Sequence, residues 1–280
     1  MKQYLDLLQH IVDNGELRKD RTGIGTRSIF GYQIRFNLND GFPAVTTKKL
    51  AFEAVKSELL WFIMGSRDER DLNKLLYGEF DHTKKTIWSA NINSKYWKKH
   101  RGFPYDAGLI YGPQWRHWDD DKVDQLKNLI INLQQNPFSR RHIITAWNPT
   151  HITGSACLPP CHCFMQFFVT SNGGLNCNLY QRSCDSFLGL PFNIASYALL
   201  ISMLAKRVNL KPGELIISFG DVHIYLDHQD QVKEQLQRKP GKLPELWLNP
   251  DVTKLSNYRM EDIKLHGYHP QSSIKADMAV

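Results

Sequence analysis

The sequence predicts a single α+β domain in which a mixed or antiparallel β-sheet packs against several helices. Apolar residues recur at helical spacing in some segments, while in others they alternate with polar residues as in half-buried strands. No repeat, low-complexity tract or flexible linker interrupts the 280 residues, and 42% of them are hydrophobic. This is enough apolar material for one large core, so we treat 1–280 as one domain.

The helices are predicted from apolar residues spaced three or four apart and from the residues that stop them. Apolar residues repeat at this spacing from Tyr4 to Val12, and Gly15 follows as a stop. A second helix is predicted over 50–64, where Glu58 stands directly before an apolar triplet, an unusual position for a carboxylate. The other predicted helices cover 123–133, 193–207 and 227–238.

The strands are predicted from alternation and from turn residues. Phe30, Tyr32, Ile34 and Phe36 alternate with polar or small residues, which indicates a half-buried strand. The other predicted strands are 143–147, 164–169, 175–181 and 215–219, with a turn at 172–174. Segment 77–108, rich in Lys, Asn, Gly and aromatic residues, is predicted to be a partly irregular insertion.

The net charge of +7 is compatible with binding to nucleic acid or to small polyanions. Most basic residues are scattered, however, and a solvated surface explains them equally well. No apolar N-terminal stretch follows a basic cluster, so we expect no signal peptide and a cytoplasmic protein. The longest apolar run, 194–205, is expected to be too short to span a bilayer.

The five cysteines favour reduced thiols over a disulfide framework or a metal site. The chain has an odd number of cysteines, five, and four of them lie close together in the sequence: Cys157, Cys161, Cys163 and Cys177. They lack the C-x-x-C pairs that structural zinc sites use, so no metal is expected.

One of these thiols stands where a nucleophile would be held rigidly. Pro159 and Pro160 restrict the backbone just before Cys161, and a predicted strand starts just after it. The alternative is that Cys161 is a small buried apolar residue.

A second motif follows at the end of the next predicted strand. Gln181, Arg182 and Ser183 can bind an anion and the edge of an amide. Asn193 carries a donor and an acceptor on one side chain and can therefore read an amide-like edge. The alternatives are that Asn193 is a helix N-cap and Asp185 a turn former.

Two further motifs carry polar groups. The adjacent Arg140 and Arg141 need an anion or solvent, so they indicate either an anion site or a solvated loop. His223 and Tyr225 are two residues apart and therefore share a face of a strand. They either bind a ligand or form a hydrogen-bonded pair in the core.

Taken together, these motifs resemble those of the thymidylate synthase family, and they occur in the family's order along the whole chain. The motifs that carry the resemblance are Asp20-Arg-Thr-Gly, Thr46-Thr-Lys-Lys, Glu58-Leu-Leu-Trp, Ile110-Tyr-Gly-Pro-Gln-Trp-Arg, Ser139-Arg-Arg, Leu158-Pro-Pro-Cys-His, Gln181-Arg-Ser-Cys-Asp, Phe187-Leu-Gly-Leu-Pro-Phe-Asn, Asp221-Val-His-Ile-Tyr and Met278-Ala-Val.

The resemblance implies roles on the nucleotide side. Cys161 is expected to add to C6 of deoxyuridylate (dUMP), and Arg182 to lower the thiol pKa and hold the phosphate. Asn193 is expected to read O4 and N3 of uracil, Glu58 to organise water over O4, and Tyr111 to help remove the C5 proton. The other residues that the resemblance assigns to the nucleotide are Arg21, Arg140, Arg141, His162, Gln181, Ser183, His223 and Tyr225.

The resemblance also implies 5,10-methylenetetrahydrofolate as the co-substrate that supplies one carbon and a hydride. The residues assigned to this side are Lys48, Trp88, Asn91, Leu158, Asp185, Gly189, Phe192 and Val280, of which Asp185 is also assigned to catalysis. A homodimer formed through the sheet is expected, with Arg140 and Arg141 reaching the phosphate bound by the other subunit.

The chain departs from the family pattern on the folate side. Ser89 follows Trp88 where the family usually has an acidic residue, and Ala51, Asn91 and Leu109 also stand at altered positions. The resemblance therefore leaves a dUMP hydroxymethylase as the nearest alternative. The retained Trp88 and the Met-Ala-Val terminus favour the synthase.

Two more distant alternatives are less compatible with the residues. A deoxycytidylate enzyme would favour a carboxylate where Asn193 stands, because cytosine presents a donor at N4. A non-catalytic nucleotide- or RNA-binding homologue is permitted by the basic charge, but Cys161 with its arginines argues against it.

Overall fold

A six-stranded mixed sheet runs through the centre of the computed structural model, which describes residues 1–151 and 153–278. Its strands are β1 (Glu16–Arg18), β2 (Thr26–Asn37), β3 (Ile143–Thr145), β4 (His162–Val169), β5 (Gly174–Asp185) and β6 (Lys211–Tyr225). They lie in the order β1-β2-β6-β5-β4-β3, and every neighbouring pair is antiparallel except β5 and β6. A separate hairpin pairs β7 (Glu245–Leu248) with β8 (Ile263–His266).

Helices cover one face of the sheet and its ends, which confirms the predicted α+β class. The helices are α1 (Lys2–Asn14), α2 (Phe52–Met64), α3 (Glu69–Tyr77), α4 (Ser89–Ile92), α5 (Tyr111–Arg116), α6 (Trp118–Asp121), α7 (Gln125–Gln135), α8 (Gly189–Arg207) and α9 (Gln229–Gln237). Segment 77–108 is irregular apart from α4 and one 3-10 turn, as predicted. Ile92 and Trp97 anchor this segment in the core.

The central helix α8 packs against β5, β6 and α2. Fourteen of its 19 residues are buried, so it is apolar on nearly every side, as a helix enclosed in a core must be. Each fully buried Leu or Ile contributes about 1.5–3 kcal/mol relative to an exposed one. By length and composition α8 could also cross a membrane, but 78% of that stretch is buried within the fold, which identifies it as the core helix.

The boundaries of α8 correct one alternative from the sequence. The helix begins at Gly189 rather than at Asn193, so Asn193 is not an N-cap. Pro191 does not prevent this start, because the first N–H groups of a helix have no partner within it. The Asp185 carboxylate accepts hydrogen bonds from the N–H groups of Phe187 (2.9 Å) and Leu188 (3.0 Å), which turns the chain into the helix.

Four strands are longer than predicted, among them β2, which begins at Thr26, and β4, which begins at His162, while β3 is shorter and ends at Thr145. β5 continues to Asp185, and β6 covers Lys211–Tyr225, including the motif that starts at Gly220. Gly220 does not end the strand but permits close approach, because a Cβ there would lie 2.8 Å from the Arg182 carbonyl oxygen.

The face of the sheet opposite α8 is open. Phe164 and Phe168 alternate with buried residues along β4, and Tyr180 lies directly opposite Phe164 on β5. Phe164, Phe168 and Tyr180 are 37%, 60% and 42% exposed, respectively. Phe30 on β2 is also exposed, at 82%, so the predicted burial along that strand holds for Ile34 and Phe36 but is wrong for Phe30.

Candidate active site

Cys161 lies in a rigid loop where its neighbours hold the backbone on both sides. Its N–H donates to the Tyr111 hydroxyl oxygen (2.9 Å). Arg182 donates from Nε to the carbonyl of Pro160 (2.8 Å) and from Nη2 to that of Pro159 (2.9 Å). The same Nη2 lies 3.7 Å from the Cys161 sulfur. Cys161 is half-buried, whereas the other four cysteines are buried.

Two opposing effects act on the Cys161 thiol. Burial raises its pKa above the usual value, while the charges of Arg182 and Arg21 lower it. The expected effect of Arg182 is therefore present, but burial outweighs it in the ligand-free chain. Cys163, two residues away, has a pKa raised by burial to about 11. The charge of Arg182 lowers the pKa of both thiols, whereas Arg21 acts only on Cys161, which is also the more exposed of the two.

A hydrogen-bonded group of side chains stands beside the thiol and can read a planar amide edge. Asn193 accepts at Oδ1 from Gln181 Nε2 (3.0 Å), and its Nδ2 lies 3.2 Å from His162 Nε2. His162 Nδ1 lies 2.8 Å from the Tyr197 hydroxyl oxygen. Among the described residues the buried Gln181 Oε1 has no partner, and a bound N–H group would satisfy it.

The protonation of His162 fixes the direction of these hydrogen bonds. Burial, and then the charge of Arg182, lower the pKa of His162 to about 3, so the ring is neutral at working pH. Nε2 can then accept from the Asn193 amide while Nδ1 donates to Tyr197. The Asn193 amide is thereby oriented before any ligand arrives.

A second group places a buried carboxyl beside an aromatic wall. Trp88 donates from Nε1 to Glu58 Oε1 (2.7 Å). Burial raises the pKa of Glu58 to about 7, and the Trp88 hydrogen bond partly opposes this shift. Tyr111 stacks on His162 with ring centroids 4.2 Å apart, and burial raises its pKa well above the usual value. Glu58 can therefore gain and lose a proton near neutrality, while Tyr111 stays a neutral phenol.

The parallel pairing of β5 with β6 brings the remaining readers to one end of the sheet. Ser183 lies opposite Asp221, and Asp185 lies opposite His223. His223 Nδ1 lies 2.8 Å from Asp221 Oδ1. The other carboxylate oxygen of Asp221 accepts a hydrogen bond from Arg18 (2.8 Å). The Tyr225 ring centroid lies 5.1 Å from that of His223, which confirms their shared face.

The four arginines expected at a phosphate fall into two groups. Arg182 and the exposed Arg21 both act on the thiol pKa, and Arg21 belongs to a loop held by the Asp20 carboxylate. Arg140 and Arg141 are exposed on the loop between α7 and β3. Within the described residues neither guanidinium forms an ion pair, and neither acts on the Cys161 pKa. A single chain does not bring this second pair to the thiol.

Of the residues that the resemblance assigns to the folate side, Lys48, Asp185 and Gly189 lie around the start of α8. Lys48 is buried and donates to the Phe187 carbonyl (2.6 Å), and its Nζ lies 3.4 Å above the Phe187 ring centre. Burial lowers the Lys48 pKa to about 7, although Asp185 opposes this shift. A Cβ on Gly189 would meet only Asp185, at 3.8 Å, so a flat ligand could approach there.

The other residues assigned to this side are partly placed. Leu158 and Phe192 are half-buried beside the apolar core, and Asn91 is half-buried on α4. Val280 lies outside the described residues. Leu158 and Phe192 are the apolar members of this set, and Lys48 and Asp185 contribute one amine and one carboxylate. Among the described residues no cluster of three His, Cys, Asp or Glu side chains could hold a metal ion.

Sequence reasoning missed several residues that orient the others. Tyr197 holds His162, Asp221 holds His223, and Trp147 lies beneath the Arg182 guanidinium at 5.3 Å. Asp221 could have been found, because it lies two residues before His223 on the same strand face. Tyr197 and Trp147 gave no local signal.

Comparison with known protein families gives one match. A family model described as thymidylate synthase matches residues 2–280, which is essentially the whole chain.

Proposed function

Because this chain belongs to the thymidylate synthase family of folate-dependent transferases, we propose that it converts dUMP to thymidylate with 5,10-methylenetetrahydrofolate. The observation that carries the proposal is the Cys161 sulfur, 3.7 Å from Arg182, beside the oriented amide of Asn193. A thiolate, fixed positive charge and an amide reader are what nucleophilic activation of a uracil nucleotide requires.

The first chemical step is addition of the Cys161 thiolate to C6 of the pyrimidine. The S–C6 bond forms, the C5–C6 double bond opens, and its electron pair moves into an enolate over C5, C4 and O4. Burial favours the protonated thiol, whereas the guanidinium of Arg182, 3.7 Å from the sulfur, favours the thiolate that attacks. Tyr111 fixes the backbone of Cys161 for this attack.

The next residues act on the charge that develops at O4. Asn193, oriented by Gln181 and His162, would donate to O4 and accept from the N–H at N3 as a preorganised dipole. Glu58, with a pKa near 7, can pass a proton to and from O4 through water. Tyr111 remains a phenol, so it assists loss of the C5 proton by accepting a hydrogen bond or orienting a water rather than as a phenolate.

The co-substrate supplies the carbon unit and the hydride when bound. Lys48 and Asp185 would bind its polar groups, and Trp88, Leu158 and Phe192 would exclude water from the reacting face. Trp88 is buried and fixed by its hydrogen bond to Glu58, which suits a wall that must not admit water.

We also propose that the active form is a homodimer joined through the open face of the sheet. Ile143, Phe164, Phe168 and Tyr180 lie on that face and are all exposed in one chain, which supports its burial against a second copy. Arg140 and Arg141, which form no ion pair with any residue in the described part of the chain, would then complete the phosphate site of the partner.

The nearest alternative within the family is hydroxymethylation of dUMP. It is favoured by one observation, the changed folate side, where Ser89 replaces the usual acidic residue beside Trp88. In that reaction water captures the carbon unit in place of hydride.

Product identity tests the proposal. Purified protein is incubated with dUMP and methylenetetrahydrofolate. The formation of dihydrofolate is followed by absorbance, and the mass of the nucleotide product is measured by mass spectrometry. We expect thymidylate with one dihydrofolate for each nucleotide formed. A 5-hydroxymethyl product without dihydrofolate would establish the alternative, and no turnover together with tight RNA binding would show a non-catalytic homologue.

A further inference from the structure

A second buried carboxylate, Glu69 at the start of α3, lies beside the Trp88 segment. Glu69 is only 5% exposed. Its Oε1 accepts hydrogen bonds from the hydroxyls of Thr86 (2.6 Å) and Ser89. The nearby cations do not neutralise it, because Arg67 and Arg70 pair with other acids. With no ion pair among the described residues, this buried carboxylate depends on the two hydroxyls and on the N-terminus of α3 for its stabilisation.

The two hydroxyls connect Glu69 to the backbone around Trp88. Thr86 Oγ1 accepts from the Trp88 N–H (3.2 Å), and Ser89 Oγ accepts from the Thr86 N–H (2.9 Å). A hydroxyl has one proton to donate and lone pairs with which to accept. Because a carboxylate only accepts, it commits both hydroxyl protons to itself and leaves both oxygens to accept from the backbone. Glu69 therefore sets the direction of the whole network.

The network ends at the reacting side of the site. Trp88 packs edge-on against Trp61 and Tyr111 and donates from its indole to Glu58 (2.7 Å). The backbone of Trp88 is fixed by the hydroxyls that Glu69 orients, and its ring is fixed by Glu58. The chain of contacts from Glu69 to Glu58 is thus continuous.

We propose that Glu69 is a positioning residue that holds Trp88 on Glu58 through the hydroxyls of Thr86 and Ser89. This inference rests on the proposed function, since it assigns Glu58 to the reaction. The geometry indicates that an acid at position 89 could replace Glu69. The Ser89 Oγ lies 2.9 Å from the backbone nitrogen of Thr86 and 3.4 Å from the Thr86 hydroxyl. A carboxylate at position 89 would reach the same two donors.

The test moves the carboxylate from one position to the other. In Glu69→Ala we expect kcat to fall roughly tenfold, a fraction of a full general acid–base contribution, with the KM for dUMP unchanged. In Glu69→Ala/Ser89→Asp we expect kcat to recover most of this loss. Ser89→Asp alone places two carboxylates together and should lower kcat. Glu79→Ala, which removes an exposed acid from the same region, is the matched control and should match wild type.

A readout without substrates separates this proposal from the function itself. The carboxyl of Glu58 is titrated by carbon NMR in the ligand-free protein; Tyr111 and Tyr197 also face it, and both stay neutral over the titration because burial raises their pKa values. The Trp88 hydrogen bond lowers the Glu58 pKa, so loosening it in Glu69→Ala should move that pKa upward, and the double variant should return it.

The outcomes are distinguishable. An unchanged Glu58 pKa in folded Glu69→Ala, or a double variant that recovers neither pKa nor kcat, would overturn the positioning role. If Glu69→Ala does not fold, Glu69→Gln replaces it, with a smaller shift of the Glu58 pKa in the same direction expected and no shift counting against the role. A wild type that makes no thymidylate would defeat the proposed function, while the NMR titration still decides the role of Glu69.

Discussion

At the scale of single residues, Arg182 does more than supply charge. Its Nε and Nη2 groups donate to two successive proline carbonyls, and its guanidinium lies over the Trp147 ring. A planar fork with fixed donors can make all these contacts at once, whereas a lysine ammonium cannot. The same side chain therefore shapes the loop that presents Cys161 and places charge beside its sulfur.

The nucleophile is the first residue-scale prediction. Cys161→Ser should lower kcat by roughly a thousandfold or more, because a serine hydroxyl is far less nucleophilic than a thiolate. Nucleotide binding, measured by calorimetry, should stay largely intact. Cys163→Ser is the control and should retain turnover; substantial activity in Cys161→Ser would refute the assignment.

Base selection provides a second prediction. Asn193→Asp replaces the amide donor facing O4 by a group that accepts, or donates only when protonated. We expect the ratio of kcat/KM for dUMP to that for deoxycytidylate to fall by roughly 10- to 100-fold. An unchanged ratio would count against Asn193 as the reader.

The buried carboxyl of Glu58 makes stability depend on pH. Its pKa rises from 4.5 in the unfolded chain to about 7 in the fold, so between these values the folded state holds a proton that the unfolded state has released. Stability is therefore lost as pH rises through this window. Glu58→Gln should become more stable relative to wild type by roughly 2 to 3 kcal/mol between pH 5 and pH 8.

Urea unfolding at the two pH values measures this difference. Glu245→Gln, at an exposed site, is the control and should show no such change. A gap between Glu58→Gln and wild type that is the same at pH 5 and pH 8 would show that Glu58 is not held protonated by the fold.

The sequence predicted the readers that stand within motifs, and it could not predict the residues that orient them. Cys161, Asn193 and His223 stand next to residues typical of turns or strands, and these local patterns indicated that they were candidate site residues. Glu69 follows another acid at a helix start, where a carboxylate is ordinary. Only the fold brings it to Ser89, and so its effect on Trp88 could not be read locally.

At the scale of elements, two helices end on a left-handed glycine with different surroundings. Gly65 ends α2 at φ 75°, and a Cβ there would lie 2.5 Å from the His117 ring and 2.8 Å from Arg116 Cβ. Gly78 ends α3 at φ 88° with nothing within 4 Å. We expect Gly78→Ala to cost about 1 kcal/mol from backbone strain alone.

Gly65→Ala should cost roughly 2 to 4 kcal/mol, because overpacking adds to the same strain. Urea midpoints of the two variants give the comparison. Equal losses would mean that the space beside Gly65 can relax, and that the close approach of α2 to Arg116 and His117 is not rigid.

The existence of most elements could be predicted, but several of their ends could not. Helical spacing identified α1, α2 and α7, and the turn at 172–174 identified the β4–β5 hairpin. The start of α8 depends on the Asp185 carboxylate, and the extension of β6 depends on strand pairing through Gly220. Both are tertiary effects that override local signals.

At the scale of the whole molecule, the proposal of a phosphate site shared between two subunits predicts how mixtures of variants behave. Homodimers of Cys161→Ser and of Arg140→Ala/Arg141→Ala should each be nearly inactive. In a refolded equal mixture, half the dimers are mixed and each of these has one intact site, so about a quarter of wild-type activity should return.

Assays of the mixture, with sedimentation to confirm dimers, give the result. Wild type mixed with Cys161→Ser is the control for refolding yield. If the arginines serve the site of their own chain, no activity returns in the mixture, and the proposal of a shared phosphate site is wrong.

The parallel pairing of β5 and β6 has a consequence for how this chain can vary. Under the proposed function, side chains at one end of both strands bind the same ligand, and successive residues of a strand point to opposite faces. Deleting one residue inside either strand would move the side chains at that end of the strand to the opposite face of the sheet. They would then point away from the side chains of the other strand, whichever residues occupied the positions. Changes of length are therefore tolerable only in connecting segments, whereas β5 and β6 can vary only by exchange of residues at constant length.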